Sequence, residues 1–431
     1  MVNVSDGFGS SVLGYPRIGP YRELKRALEA YWRGASSPEE LLAVGRDIQE
    51  RQFSELAATG LTQVPGNTFS FYDHVLDNAL LFGAVPSRFE EFRQDMHPLD
   101  FYFLMARGRP DLPPLELVRY FGTNYHYRQP ELDADTEFSL HPEALLDEWD
   151  RAMAQGIELR PVVLGPLSLL LLSKAGHVPG ESAGFETIEL LDRLLPVYEE
   201  LFEILAKRGS TCVQLDEPCY TAERTEAELA AFEKAYERLS KAPLRPRLLV
   251  TGQYGDFGEA LPILARTGVE AIGLDLASYR MRPEDLAAIP GIRRKRLYAG
   301  VISGLNVWRA DRYVTLTYLQ ELAQVCPDLV VSTGTTLLHV PYDVLSEYEI
   351  EGNVADRLAF AKQKVGEVVS LAKALTEGPS EKWRKRPSEV HFKQKHAVRQ
   401  RVYAITPQMR TREPYEVRRA AQQAKLNLPP V

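Results

Sequence analysis

From about residue 158 onward the chain repeats one unit: a short β-branched or leucine-rich run, a polar turn, then a stretch with apolar residues at three- and four-residue spacing. "LRPVVLGP" reads as a strand, followed after a loop by the helical "FETIELLDRLLPVYEELFEILAKRG". "TCVQLDEPCY" and "AELAAFEKAYERLSK" form the next pair, and "RPRLLVTGQYGDFGEALPILART", "VEAIGLDLAS", "RLYAGVISGLNVW" and "LVVSTGTTLLHVP" continue the pattern. Strands that alternate with helices at this spacing pair in parallel. Together with a further unit at "GLTQVPGNTFSFYDHVLD" they approach the eight of a (β/α)8 barrel. No GxGxxG follows the first strand, and polar residues cluster just past strand after strand, which favours the barrel over an open doubly wound sheet. The expectation is an α/β chain: a TIM-type barrel over residues 1–379, with an N-terminal helical region and an inserted segment at about 85–150, followed by a basic, partly helical extension at 380–431.

At 431 residues the chain exceeds the size at which single cores usually stop growing, so a large barrel with additions is in range. The longest apolar stretch, "PVVLGPLSLLLL", is too short to span a bilayer and is broken by Gly165 and Pro166. The N-terminus lacks the basic and apolar regions of a secretory signal. Cys212, Cys219 and Cys326 include no CxxC and are too few for a disulfide framework, so reduced thiols in the cytoplasm are expected. The net charge of −8 is uneven: residues 380–431 carry 13 Lys/Arg against 4 Asp/Glu. That segment shows no nucleic-acid motif or aromatic platform, so it is expected to pack on the acidic body rather than bind nucleic acid.

The residues following each apolar run are Asp73 and His74, Ser168, Asp216 and Glu217, Tyr254 and Asp256, Asp275, Asn306 and Trp308, and His339. A barrel brings such positions to one mouth. Asp216, Glu217, Asn306, Trp308 and His339 are the candidates for chemistry there. Bland alternatives stand beside them: Asp216 and Glu217 as loop and cap residues, His339 as a satisfied core histidine, Asn306 and Trp308 as turn formers. Adjacent carboxylates on a strand face opposite ways, so both reach one substrate only if the strand has ended before them. No nucleophile elbow, P-loop or HExxH is present. The histidines are scattered singly apart from His391 and His396, so no zinc site is expected.

At the N-terminus, "LGYPRIGPYRELKRALEAYW" sets a Gly/Pro-rich turn before a helix that opens with Arg22, Glu23, Leu24 and Lys25. This stretch, with "FYDHVLD", "FGTNYHYRQPEL", "VVLGPLSLLLLSK", "VQLDEP", "GLNVWRAD", "LLHVP" and "YEVRRAAQQAKLNLPP" in that order, resembles the N-terminal half of cobalamin-independent methionine synthase across essentially the whole chain.

The resemblance implies one of two face-to-face barrels. In that family the C-terminal barrel holds the zinc that activates homocysteine for attack on 5-methyltetrahydropteroyltriglutamate. Internal resemblance of the two halves puts the zinc-ligand positions near Thr251 to Gln253 and near Thr335, none of them His or Cys. No cofactor is therefore expected on this chain, and zinc is expected only on a C-terminal barrel acting in cis or trans. The resemblance also assigns the folate's triglutamate tail to Arg22, Glu23, Leu24, Lys25 and Arg119, where the family usually has Lys at the last position. Helix N-terminal amides and fixed cationic donors suit such carboxylates. The alternative is a solvated helix face with Lys25 pairing Glu29. Three roles follow as expectations: the folate-binding half of the synthase, inactive without the zinc barrel; a stand-alone barrel enzyme with other small-molecule chemistry; or a non-catalytic scaffold.

Overall fold

The computed structural model describes residues 8–176, 184–347, 349–350, 352–380, 383 and 395–427. His391 lies outside the described residues. The chain divides into two compact units, Met1–Ser380 and Glu381–Val431.

The first unit is built on eight strands: β1 (Gly9–Ser10), β2 (Val64–Gly66), β3 (Leu159–Leu164), β4 (Cys212–Asp216), β5 (Arg247–Gly252), β6 (Ala271–Leu274), β7 (Arg296–Ile302) and β8 (Leu329–Thr333). They pair in parallel in the order β1, β8, β7, β6, β5, β4, β3, β2. A parallel bridge between Ser11 and Gln63 joins β1 to β2 and closes the ring. The chain is thus a (β/α)8 TIM-type barrel with an inserted segment and a basic, partly helical extension. Strands covered on both faces read as continuous apolar runs, and every residue of β3, β6 and β8 is buried.

Helix ends follow from local chemistry. The helix α1 spans Glu23–Trp32, and α2 spans Pro38–Ala58 behind a Ser37/Glu40 capping box. Asp73 caps α3 (His74–Leu81) by accepting from the amides of Val75 and Leu76. Leu24 and Leu28 of α1 join Leu41 and Ile48 of α2 in a second apolar core with Phe101, Tyr102 and Phe103 of the insertion. Between α3 and β3 lie the helix Pro98–Arg107, the antiparallel hairpin Glu116–Arg119/His126–Gln129 and the helix Glu143–Ala154, which packs on β3 and α2. The hairpin also packs on α3 and so reaches the end of β2.

The second unit carries helices at His396–Tyr403, Pro407–Arg410 and Tyr415–Leu426. No helix among the described residues is long and apolar enough to cross a membrane.

Candidate functional site

The site is built upward from a buried arginine. Arg160, on β3, is 3 % exposed and has no carboxylate partner in its hydrogen bonds. Its guanidinium donates to Gln214 Oε1 (2.8 Å), the Val12 carbonyl (2.8 Å) and Gln63 Oε1 (3.1 Å), tying β3 to β4 and to the closing seam. Held in this way, Gln214 donates through Nε2 to Asp216 Oδ1 at 2.6 Å, two residues further along the same strand face. Thr251 of β5 donates to the same oxygen at 2.6 Å. Burial pushes the Asp216 carboxyl up to about 6, against the opposing pull of these donors.

A ring of tyrosines and histidines surrounds Asp216 at the strand ends. Tyr254 Oη and His339 Nε2 are 2.8 Å apart. His74 Nδ1 is 3.3 Å from Tyr125 Oη, which donates to Asp73 Oδ1 at 3.3 Å. The His339 ring meets those of Tyr254 and Tyr125 at 5.5 and 6.1 Å, linking the two pairs. Arg17 donates to the Ser70 carbonyl at 3.0 Å and lies 6.0 Å from the Tyr125 ring. Burial lowers His339 to about 4 and His74 to about 3, so both imidazoles are neutral at pH 7; His339 and the Arg17 charge add to the effect on His74. Burial raises Asp73 to about 6. Phe121 and Tyr254, both with positive φ (48° and 69°), stack at 5.3 Å beside this ring. Bulky residues adopt that backbone only where the surroundings hold them there.

The barrel therefore brings together Asp73, His74, Asp216, Tyr254 and His339. It sends other candidates elsewhere. Glu217 is fully buried and accepts from the amides of Ser168 (2.7 Å) and Leu167 (3.3 Å) and from Tyr236 Oη (2.7 Å), at the start of the helix Pro166–Leu171. A Cβ on Gly165 would sit 2.2 Å from that carboxyl, so only glycine lets the two approach. Ser168 Oγ accepts from the Cys219 amide in the same knot. Asn306 and Trp308 belong to a loop docked on the last barrel helix, Ala361–Glu377: Lys364 Nζ donates to Trp308 O (3.2 Å) and Asn306 Oδ1 (3.4 Å), and the Trp308 side chain is exposed. Asp256 caps a turn through the Gly258 amide, and Asp275 accepts from Ser278.

Sequence reasoning missed Arg17, Tyr125 and Arg160, and met Gln253 only as a position without a zinc ligand. An arginine inside the apolar run "LRPVVL" was the available signal for Arg160. Arg17 and Tyr125 stood inside quoted segments, yet nothing local distinguishes them from turn residues.

At the N-terminal entrance Arg22 precedes α1 with φ 61°. Its side chain is 56 % exposed and pairs with Glu347 at 2.8 Å. Lys25 is exposed, 3.9 Å from Glu29. Glu23 turns to Arg51 (3.2 Å) and the Tyr21 amide (2.9 Å), and Leu24 is buried in the apolar core. Arg119, on the hairpin, is exposed and donates to the Thr123 carbonyl at 2.6 Å.

The residues at the family's zinc positions do not fit a zinc ion. Thr251 is bonded to Asp216, and Gln253 Oε1 accepts from the Thr336 amide at 2.8 Å; neither supplies a thiolate or imidazole. Cys212, Cys219 and Cys326 are buried, unbridged thiols, and burial raises all three above the ordinary range.

Fold and mouth together define a barrel protein whose polar groups gather at the C-terminal strand ends, where barrel enzymes carry their sites. Residues 9–327 match the family described as cobalamin-independent synthase, N-terminal domain, and the chain belongs to that family. It is 42 % identical over 433 residues to the 5-methyltetrahydropteroyltriglutamate–homocysteine methyltransferase of Streptomyces coelicolor, covering 98 % of this chain and 56 % of that protein. It is 46 % identical over 371 residues to the enzyme of the same name from Rhodococcus jostii, covering 86 % and 48 %. The chain spans about half the length of these curated relatives. Among solved structures, a putative vitamin-B12 independent methionine synthase from Listeria monocytogenes superposes with a TM-score of 0.58 at 13 % identity, covering 86 % of this chain and 98 % of that one. At that identity the likeness speaks for the fold alone.

Proposed function

We propose that this chain is the folate-polyglutamate-binding half of a cobalamin-independent methionine synthase. In this reading it works with a zinc-bearing C-terminal barrel, in cis or in trans, to transfer the methyl group of 5-methyltetrahydropteroyltriglutamate to homocysteine in the cytoplasm. The observation that carries the reading is the N-terminal entrance: Arg22 and Lys25 present exposed cationic side chains at the start of a ten-residue helix, in a chain that aligns almost end to end with half of the methyltransferase. Arg22, Lys25 and Arg119 bind tail carboxylates through side chains. Glu23 and Leu24 shape the helix start, one through the Arg51 pair and the other through the core. A zinc ion on the other barrel would keep the homocysteine thiol ionised; this chain holds the tail and supports its partner. Residues 380–431 act as the connector.

Calorimetry with the triglutamate and monoglutamate forms of the folate tests the reading. Tighter binding of the triglutamate, lost in Arg22→Ala/Lys25→Ala, is expected. No binding to this chain, alone or mixed with a separately expressed C-terminal barrel, would sink it. Methyl transfer only in the mixture is the matching kinetic result.

A second reading, a stand-alone barrel enzyme, draws on the mouth itself. Neutral His74, the raised carboxyl Asp216 and Tyr254 line one small cavity, with neutral His339 hydrogen-bonded to Tyr254 and the raised carboxyl Asp73 bonded to Tyr125. Groups poised this way suit proton transfer. Turnover of a small molecule by this chain alone, lost in Asp216→Asn, would favour it.

A further inference from the structure

A second cavity, of about 550 Å³, lies outside the barrel between α2, α3, the helix Pro98–Arg107 and the helix Glu143–Ala154. Its size is in the range that encloses small ligands. The walls are mostly aromatic and aliphatic, with Phe69, Phe71, Phe101 and Tyr102 on the aromatic side; His97, His141 and Arg93 also line it, the arginine bonded to His141 at 2.7 Å and paired with Glu90 at 3.4 Å. Pro98, Glu143 and Ala144, all exposed lining residues, mark the entrance.

Three carboxyl residues line this space, and they differ: Glu143 is exposed at the entrance, and Glu148 and Asp77 lie deeper. Glu148 is spent on structure: Oε2 accepts from Gln49 Nε2 at 2.8 Å and Oε1 from the Asn67 amide at 2.7 Å. Asp77 is held more lightly: it projects from α3 with the hydroxyls of Ser70 and Tyr102 hydrogen-bonding its carboxyl, and no cation among the described residues lies within ion-pair distance. Arg17, the positive group that acts on it, is engaged with the Ser70 carbonyl. Surrounding protein encloses the side chain, yet it keeps solvent-accessible area because it faces the cavity. Burial, with the nearby Asp73 charge, raises its carboxyl to about 7.

From this arrangement we infer that the outer cavity binds a small flat molecule with an amidine or aminopyrimidine edge, its paired N–H donors on the Asp77 carboxyl and its ring between Phe69, Phe71 and Phe101. Two parallel N–H groups match the two oxygens of a carboxylate. The aromatic walls match the ring faces. The arrangement at rest leaves a buried acid without a counter-ion, and a bound cation supplies one. The entrance lies among insertion residues, separate from Arg22, Lys25 and Arg119, so this site stands or falls independently of folate-tail binding.

The test titrates the full chain with benzamidine, with benzamide as the neutral isostere, by calorimetry. Benzamidine is expected to bind, at least tenfold more tightly than benzamide, and more tightly as pH rises through the range where Asp77 ionises. Asp77→Asn is expected to weaken benzamidine at least tenfold and to reduce the pH dependence, the remainder belonging to Glu148, which burial likewise raises to about 7. Ala144→Trp, an exposed helix position at the entrance, is expected to block binding while leaving the thermal midpoint and triglutamate affinity unchanged. Absence of benzamidine binding, or equal affinity in the wild type and either variant, overturns the inference.

Discussion

The hydroxyl of Tyr254 and Nε2 of His339 lie 2.8 Å apart across the barrel mouth, joining the β5 and β8 loops through side chains 85 residues apart. The contact keeps a buried imidazole hydrogen-bonded, burial keeps it neutral, and acid is what should disturb it.

His339 and His74 have folded values of about 4 and about 3, below the ordinary histidine range. As pH falls below about 6.5 the unfolded chain takes up protons that the folded chain refuses, so stability is lost on acidification, by up to about 1.4 kcal/mol per pH unit for each histidine. The raised carboxyls Asp73 and Asp216 act in the opposite sense, adding stability at low pH that fades as pH rises through about 6. The histidine contribution is therefore read by difference: His339→Gln should flatten the acid loss relative to wild type in urea unfolding between about pH 7 and pH 5. Parallel curves for the two proteins would show that His339 is protonated in the fold.

Glu217 should behave as a structural group. Glu217→Ala leaves two buried amides and the Tyr236 hydroxyl without their acceptor, which costs about 1–3 kcal/mol each way the knot is opened. A lowered thermal midpoint with triglutamate affinity intact is expected. Unchanged stability with lost ligand binding would put Glu217 in the mouth after all.

Arg22 faces a choice between Glu347, 2.8 Å away, and an incoming carboxylate. Arg22→Ala should weaken triglutamate binding by about tenfold or more, the usual loss for a charge-assisted hydrogen bond. Glu347→Gln should tighten it a few-fold, because an exposed ion pair is worth about 0–1 kcal/mol and no longer competes. Both effects should shrink with added salt. A Glu347→Gln protein that binds more weakly would mean the pair positions Arg22 instead of occupying it.

Lys364 and Glu367, 1 % and 2 % exposed, hold the loop after β7 from below: the lysine binds Trp308 O and the glutamate accepts from the Ala310 amide at 3.2 Å. Lys364→Met removes the largest of the cationic influences on the buried Glu367 carboxyl, leaving those of Arg312 and Arg309, together with the bonds to Trp308 O and Asn306, and should cost about 1–3 kcal/mol, whereas Lys364→Met/Glu367→Leu should recover part of it. Chemical denaturation of the two variants decides; equal stability would show that the charges do not compensate one another.

The sequence by itself determined the architecture, because strand and helix periodicity is a local property. Each apolar run in "LRPVVL", "VQLD" or "LLVTG" can be read without knowing its neighbours, and the alternation leaves few topologies. It also determined the family, through ordered segments. It even carried the chemistry of adjacent carboxylates: Asp216 and Glu217 do face apart, one toward Gln214 and Thr251, the other toward a helix start. Tertiary structure alone decided which side chains meet. Arg22 finds Glu347 over 325 positions, and Arg160 reaches Val12 over 148. Asp77, an ordinary helical residue in sequence, becomes the uncompensated acid of a cavity only when the insertion packs across α3. Such contacts arise from barrel closure and layer packing, which bring together residues whose local sequences carry no mark of one another.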